Sequence, residues 1–119
     1  CLLRVKLPFS VNVLAEAAGI AALADDAFRS KTIRTVVQGR EMLTNALGEM
    51  GFLVYPSQAN FILVRPPMSA SELFEELLRR GIIIRPLQSY GLTDHLRISI
   101  GNPYENNELV MAMHDILMP

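Results

Sequence analysis

The stretch "GIIIRPLQSYGLTDHLRISIG", residues 81–101, decides how the chain folds. It holds two short runs rich in isoleucine, Ile82–Ile84 and Leu96–Ile100, separated by a polar segment with a glycine at 91. Runs of this length and β-branched content, bounded by glycine and proline, predict strands. Each run also carries one arginine: Arg85 closes "GIIIR" and Arg97 stands inside "LRISI". An arginine among apolar strand residues needs a partner, because an unpaired buried charge is very costly. Either each arginine caps a strand end and meets an acid of its own chain, such as Glu72 or Asp94, or the two await an anion from outside. If the two strands are neighbours, both guanidinium groups converge on one spot, where two planar forks of donors suit a phosphate or a carboxylate.

Upstream, "FLVYP" and "ANFILVRPP" predict two more strands, punctuated by Pro56, Pro66 and Pro67. Between the strand pairs, Ser69 with Glu72 has the form of a capping box. Leu73, Phe74, Leu77 and Leu78 form one apolar helical face before Gly81. After the last strand, Asn102, Pro103 and Glu105 predict an N-cap, a first-turn proline and a capping-box partner. The helix they open carries Leu109, Val110, Met113, Ile116 and Leu117 inward.

At the start of the chain, "VNVLAEAAGIAAL", Val11 to Leu23, is apolar on nearly every side, and such a helix is expected at a domain or subunit seam. A second helix is expected over about Phe28–Met50, with Ile33, Val36, Val37, Leu43, Leu47 and Met50 at helical spacing and Gly51 as its stop. The order is helix, helix, strand, strand, helix, strand, strand, helix. Helices packed on one side of a small, mainly antiparallel sheet is the simplest closure of such an α/β chain, of the α+β kind.

The 119 residues, half of them hydrophobic, suffice for one modest core. A net charge of -1 with scattered charges gives no footprint for nucleic acid. The single cysteine, Cys1, forms no internal disulfide, which fits a cytoplasmic setting, and no Cys/His spacing marks a metal site. Apolar runs fall well short of the roughly 20 residues that cross a bilayer. "CLLRVKLPFS" reads as the middle of a larger structure, so the chain is expected to be a fragment.

Asn60, within "ANFIL", either bonds an irregular backbone or orients one of the arginines. Tyr90, in "SYGL", either bonds a ligand or packs in its loop. His95 and His114 have no nucleophile or acid in a triad arrangement, and neither Lys6 nor Lys31 has a context that marks an imine-forming lysine. There is no glycine-rich phosphate loop and no serine elbow. The residues alone thus reach an anion-binding part of a larger α/β protein, with no catalytic residue, no cofactor-binding residue and no metal ligand of its own.

The ordered set "PFSVNVLAEAAGIAAL", "PSQANFILVR" and "GIIIRPLQSYGLTDHLRISIGNPYENN" resembles the C-terminal part of the histidinol-phosphate aminotransferases, pyridoxal-phosphate enzymes of fold type I. The most specific parts are "ANFIL", "IRP" followed by "YGL", and "LRISIG" followed by "EN". The resemblance implies that residues 1–27 are an interdomain segment with an apolar helix from the large-domain boundary, and that 28–119 are the small C-terminal domain. It implies that Arg97 binds the anionic end of both substrates, the phosphate of L-histidinol phosphate in one half-reaction and the α-carboxylate of glutamate, the amino partner of 2-oxoglutarate, in the other, while Arg85 assists with the phosphate. It further implies transamination in histidine biosynthesis by a cytoplasmic homodimer. The pyridoxal phosphate would sit in an upstream domain with its lysine, leaving this fragment inactive alone. L-threonine-O-3-phosphate decarboxylase of cobalamin synthesis is similar over "PFSVNVLAEAAG", but "LRISIGNPYEN" looks more like the aminotransferases. A free-standing, non-enzymatic anion-binding module is the alternative from another class.

Overall fold

In a computed structural model of the chain, residues 10–118 are described. Cys1 and Lys6, and with them the expectations about a disulfide and an imine, lie outside the described residues. The chain divides into two compact units at the Ile33–Arg34 bond.

The first unit contains helix α1, Val13–Ala24, and the start of α2, Asp26–Glu49. Asn12 caps α1, its side-chain oxygen accepting from the Ala15 N–H at 2.9 Å. The Asp25 carboxylate accepts from the Phe28 N–H at 2.8 Å and starts α2 in the same way. No residue of α1 is buried; Val13, Leu14, Ile20 and Leu23 are all exposed.

The second unit begins within α2 and continues through strand β1 (Leu53–Val54), β2 (Phe61–Arg65), helix α3 (Ala70–Arg79), β3 (Arg85–Leu87), β4 (Leu92–Ser99) and α4 (Pro103–Leu117). The strands form one antiparallel sheet in the order β1-β2-β4-β3. Along β2 and β4 the side chains alternate, so Ile62, Val64, Leu96 and Ile98 share one fully buried face. Leu43 and Leu47 from α2, Leu73 and Leu77 from α3, and Leu109 and Met113 from α4 complete that core. The expected architecture, helices on one side of a small antiparallel sheet, is the observed one.

Two elements begin elsewhere than the sequence suggests. Ile82–Ile84 are not strand: Gly81 turns with φ 78°, and the Ile82 N–H bonds the Leu77 carbonyl at 2.9 Å, so this backbone closes α3 instead of joining the sheet. Strand β3 therefore starts only at Arg85. Strand β4, by contrast, takes in the polar residues Thr93, Asp94 and His95, which sit across an irregularity in its pairing with β3, between Pro86 and Leu87.

Two backbone joints hold the sheet to the helical layer. Asn102 and Glu105 form a complete reciprocal capping box at the start of α4. Beside it, the buried Asn106 side chain accepts from the Gly101 N–H at 2.9 Å and donates to the Gly101 carbonyl at 3.0 Å. Helix α2 passes so close that a Cβ on Gly39 would lie 2.7 Å from both the Asn106 amide nitrogen and the Ile100 Cγ2.

Candidate functional site

Burying Leu96 and Ile98 toward the helices turns the intervening residues of β4, His95 and Arg97, onto the opposite face of the sheet. Phe61, Leu63 and Arg65 of β2 share that face by the same alternation. Arg97 stands at its centre, paired in register with Leu63 on one side and with Arg85 on the other. Two of the arginines singled out in the sequence are thus direct cross-strand neighbours.

Each of them meets an aromatic ring. The Arg85 guanidinium carbon lies 5.7 Å from the centroid of the Tyr90 ring, and its Nη2 donates to the Tyr90 hydroxyl at 3.1 Å. Tyr90 reaches that position from a 3₁₀ turn, Gln88–Tyr90, which Gly91 closes in the left-handed conformation at φ 77°. The Arg97 guanidinium carbon lies 5.2 Å from the centroid of Phe61. Both distances fall within the range for a cation over an aromatic face.

No carboxylate among the described residues answers these cations. Among the described residues the arginine ion pairs are Arg29 with Asp26, Arg79 with Glu76, and Arg80 with Asp115, and none involves Arg85 or Arg97. The Nε of Arg97 is buried without a hydrogen-bond partner. Glu72 and Asp94 do not pair with either arginine, so the intrachain reading of the two charges has no support in the geometry.

Asn60 is exposed beside this face; its backbone carbonyl accepts from the Ile100 N–H at 2.9 Å, which joins the end of β4 to the loop before β2. That loop is wired by three further bonds. Arg40 Nη1 donates to the Ala59 carbonyl at 2.9 Å, the Ala59 N–H donates to Ser57 Oγ at 3.1 Å, and Ser57 Oγ donates to the Phe61 carbonyl at 2.6 Å. A concavity of about 450 Å³ between α2 and this loop, lined by Arg40, Thr44, Tyr55 and Ser57 among others, contains neither Arg85 nor Arg97. The paired arginines stand on an open face, and that arrangement suits a surface completed by another body.

Sequence reasoning passes over two contributors to this face. Phe61 looks like an ordinary strand residue until the register sets it against Arg97. Tyr55 and His95, 40 residues apart, share a hydrogen bond of 3.0 Å between the hydroxyl and Nε2, with their rings 5.5 Å apart. The other histidine nitrogen, Nδ1, is buried and unpartnered among the described residues. Only the alternation of β4 hinted that His95 and Arg97 share a face. Among the described residues no cluster of His, Cys, Asp or Glu could hold a metal ion, and no helix is long and apolar enough to cross a membrane.

A small antiparallel sheet with helices on one face is the architecture of the C-terminal domain of fold type I aminotransferases, and the chain belongs to the family "Aminotransferase class I and II", whose model matches residues 1–113. Within it, the chain is similar to the histidinol-phosphate aminotransferase of Nitratidesulfovibrio vulgaris, with 58% identity over 96% of this chain and 31% of that protein. The chain therefore spans about a third of the length of the curated relatives it matches. Among solved structures it is similar to histidinol-phosphate aminotransferase from Sinorhizobium meliloti in complex with pyridoxal-5'-phosphate, with TM-score 0.79, 25% identity, and coverage of 98% of this chain and 33% of that one. It also resembles L-threonine-O-3-phosphate decarboxylase from Porphyromonas gingivalis, with TM-score 0.68, 28% identity, and coverage of 92% and 35%.

Proposed function

We propose that this chain is the substrate-anion-binding domain of a longer pyridoxal-phosphate-dependent aminotransferase that exchanges an amino group between L-histidinol phosphate and 2-oxoglutarate. The observation that carries the reading is the direct pairing of Arg85 with Arg97 on an open sheet face without any carboxylate partner. Two arginines paired across neighbouring strands are electrostatically unfavourable alone and well suited to a shared anion. A planar fork accepts a carboxylate or a phosphate oxygen pair with similar geometry. One such clamp can therefore serve both substrates in turn.

The residues described here do not make a cofactor pocket on their own. Residues 34–119 contain no lysine to form an imine, and the open face offers cations and hydroxyls for anionic substrate ends. The imine-forming lysine and the groups around the pyridine ring belong, on this reading, to the remaining two thirds of the polypeptide, and the isolated chain is inactive. The part played by this domain is to bind and orient: Arg97 anchors the carboxylate or phosphate, Arg85 adds donors for the phosphate, and Tyr90 steadies Arg85. Asn60 fixes the loop beside them through its backbone. The whole enzyme acts in the cytoplasm as a homodimer, with the α1 region near a subunit or domain boundary.

The deciding experiment follows the near-ultraviolet and visible absorbance of the full-length protein loaded with pyridoxal phosphate. Addition of L-histidinol phosphate without a keto acid is expected to change the spectrum, and 2-oxoglutarate to reverse the change. An inert spectrum, with carbon dioxide released from threonine phosphate, would instead assign the protein to the decarboxylases. No response to either compound would leave the non-enzymatic anion-binding module as the answer.

A further inference from the structure

The two arginines of the clamp are held in different ways. Arg85 spends a donor on its neighbour: its Nη2 bonds the Tyr90 hydroxyl. The other arginines with defined contacts also spend donors, Arg40 on the Ala59 carbonyl and Arg80 on the Ala112 carbonyl and Asp115. Arg97 spends none. Among the described residues its side chain makes no hydrogen bond and no ion pair, and its Nε is buried without a partner. The directed contact that remains is the Phe61 ring, 5.2 Å from its guanidinium carbon.

An aromatic face attracts a guanidinium through its quadrupole and restricts it without occupying an N–H. The contact thus leaves the terminal N–H donors of Arg97 for a ligand while limiting its rotamers. Phe61 is itself placed with care. It pairs with Ser99 across the β2–β4 ladder, two positions along from the Leu63–Arg97 pair and on the same face, and its carbonyl accepts from the Ser57 hydroxyl.

We infer that Phe61 is a positioning residue for the anion clamp: its ring orients the Arg97 guanidinium so that the free donor edge meets the substrate's carboxylate or phosphate. This rests on the anion-clamp reading of Arg97 given above. Pre-setting a long side chain lowers the entropy lost when the ligand binds, so the effect falls on affinity and not on the chemical step. Because Arg97 would hold both kinds of anion, Phe61 affects carboxylate and phosphate ligands alike. Tyr90, which holds Arg85, affects the phosphate selectively.

The test uses the full-length holoenzyme and the variants Phe61→Leu, Phe61→Tyr and Arg97→Ala. Calorimetric titration with glutarate and with inorganic phosphate reads affinity without turnover, and steady-state kinetics with L-histidinol phosphate reads KM and kcat. For Phe61→Leu, the dissociation constants for both probes and the KM are expected to rise about three- to thirtyfold, with kcat within about twofold of wild type. Phe61→Tyr keeps the ring and is expected to restore binding to within about twofold. Wild-type affinity in Phe61→Leu, while Arg97→Ala loses it, overturns the positioning role and leaves the clamp standing. Wild-type affinity in Arg97→Ala overturns the clamp itself. A loss in Phe61→Leu that Phe61→Tyr fails to restore also overturns the inference, because it assigns the effect to local packing.

Discussion

Arg85 and Arg97 face each other as direct partners across the β3–β4 ladder, two like charges on neighbouring strands with no acid between them. Opposed like charges at such a position destabilise the sheet. This sheet therefore carries an electrostatic cost in its free state that the proposed anion would remove.

Replacing Arg85 with alanine should separate stability from binding. The variant is expected to be as stable as wild type or a few tenths of a kcal/mol more stable, since repulsion is relieved, while its affinity for phosphorylated substrate falls. Urea denaturation of the full-length protein beside phosphate titration checks both halves. A variant that loses stability and keeps its phosphate affinity would contradict the assignment.

Binding of a phosphorylated ligand should raise the denaturation temperature by mass action. At a ligand concentration about 100 times its dissociation constant, the gain is roughly 2.7 kcal/mol. Arg97→Ala is expected to abolish most of that gain. Differential scanning fluorimetry at matched ionic strength, with chloride as the control, separates specific binding from general screening.

Tyr90→Phe tests the other arm of the clamp. It keeps the ring near Arg85 and deletes the 3.1 Å hydrogen bond. The KM for the phosphorylated substrate should rise by up to about tenfold, the range expected for one exposed hydrogen bond, while affinity for glutarate stays near wild type. Equal loss for both ligands would show that Tyr90 does not act through Arg85 alone.

Gly39→Ala should destabilise the fold without touching the clamp. The new methyl would meet the Asn106 amide nitrogen and Ile100 Cγ2 at 2.7 Å each, inside any ordinary contact. Overpacking of this kind costs about 1–3 kcal/mol. A denaturation midpoint unchanged from wild type would mean that α2 moves aside freely at this crossing.

Asn106→Ala should be at least as damaging. It strips the Asn106 side-chain partners of the Gly101 N–H and carbonyl at the end of β4. Leaving buried backbone groups unpaired costs about 1–3 kcal/mol. The check is the same denaturation curve, with amide exchange at Gly101 as the local probe.

Helix starts were the most legible features in the sequence, because a cap is a local bargain between residues three apart. Asn102 and Glu105 close a full capping box, while at α3 Ser69 accepts from the Glu72 N–H at the longer distance of 3.4 Å. The antiparallel sheet under helices was legible too, since each element shows one apolar face. Strand limits were not. The run Ile82–Ile84 has strand composition, yet the Ile82 N–H is engaged in closing α3; Thr93 to His95 have loop composition, yet β4 includes them.

The arginines of the candidate site could be picked out because charge inside an apolar run is conspicuous. Their aromatic neighbours could not. That Phe61 meets Arg97, or Tyr55 meets His95, depends on the register between strands distant in the chain, and register is a property of the assembled sheet.

Arg97 and the support of Arg85 come from unlike parts of the scaffold. Arg97 lies in a strand paired on both sides, whereas Tyr90 lies in the short 3₁₀ turn that ends at Gly91. Loops of that kind tolerate exchange far better than paired strands do. A lineage of such proteins could thus exchange the Gln88–Tyr90 turn and, on the proposed reading, alter its preference for phosphate over carboxylate, while inheriting Arg97 unchanged in its paired strand.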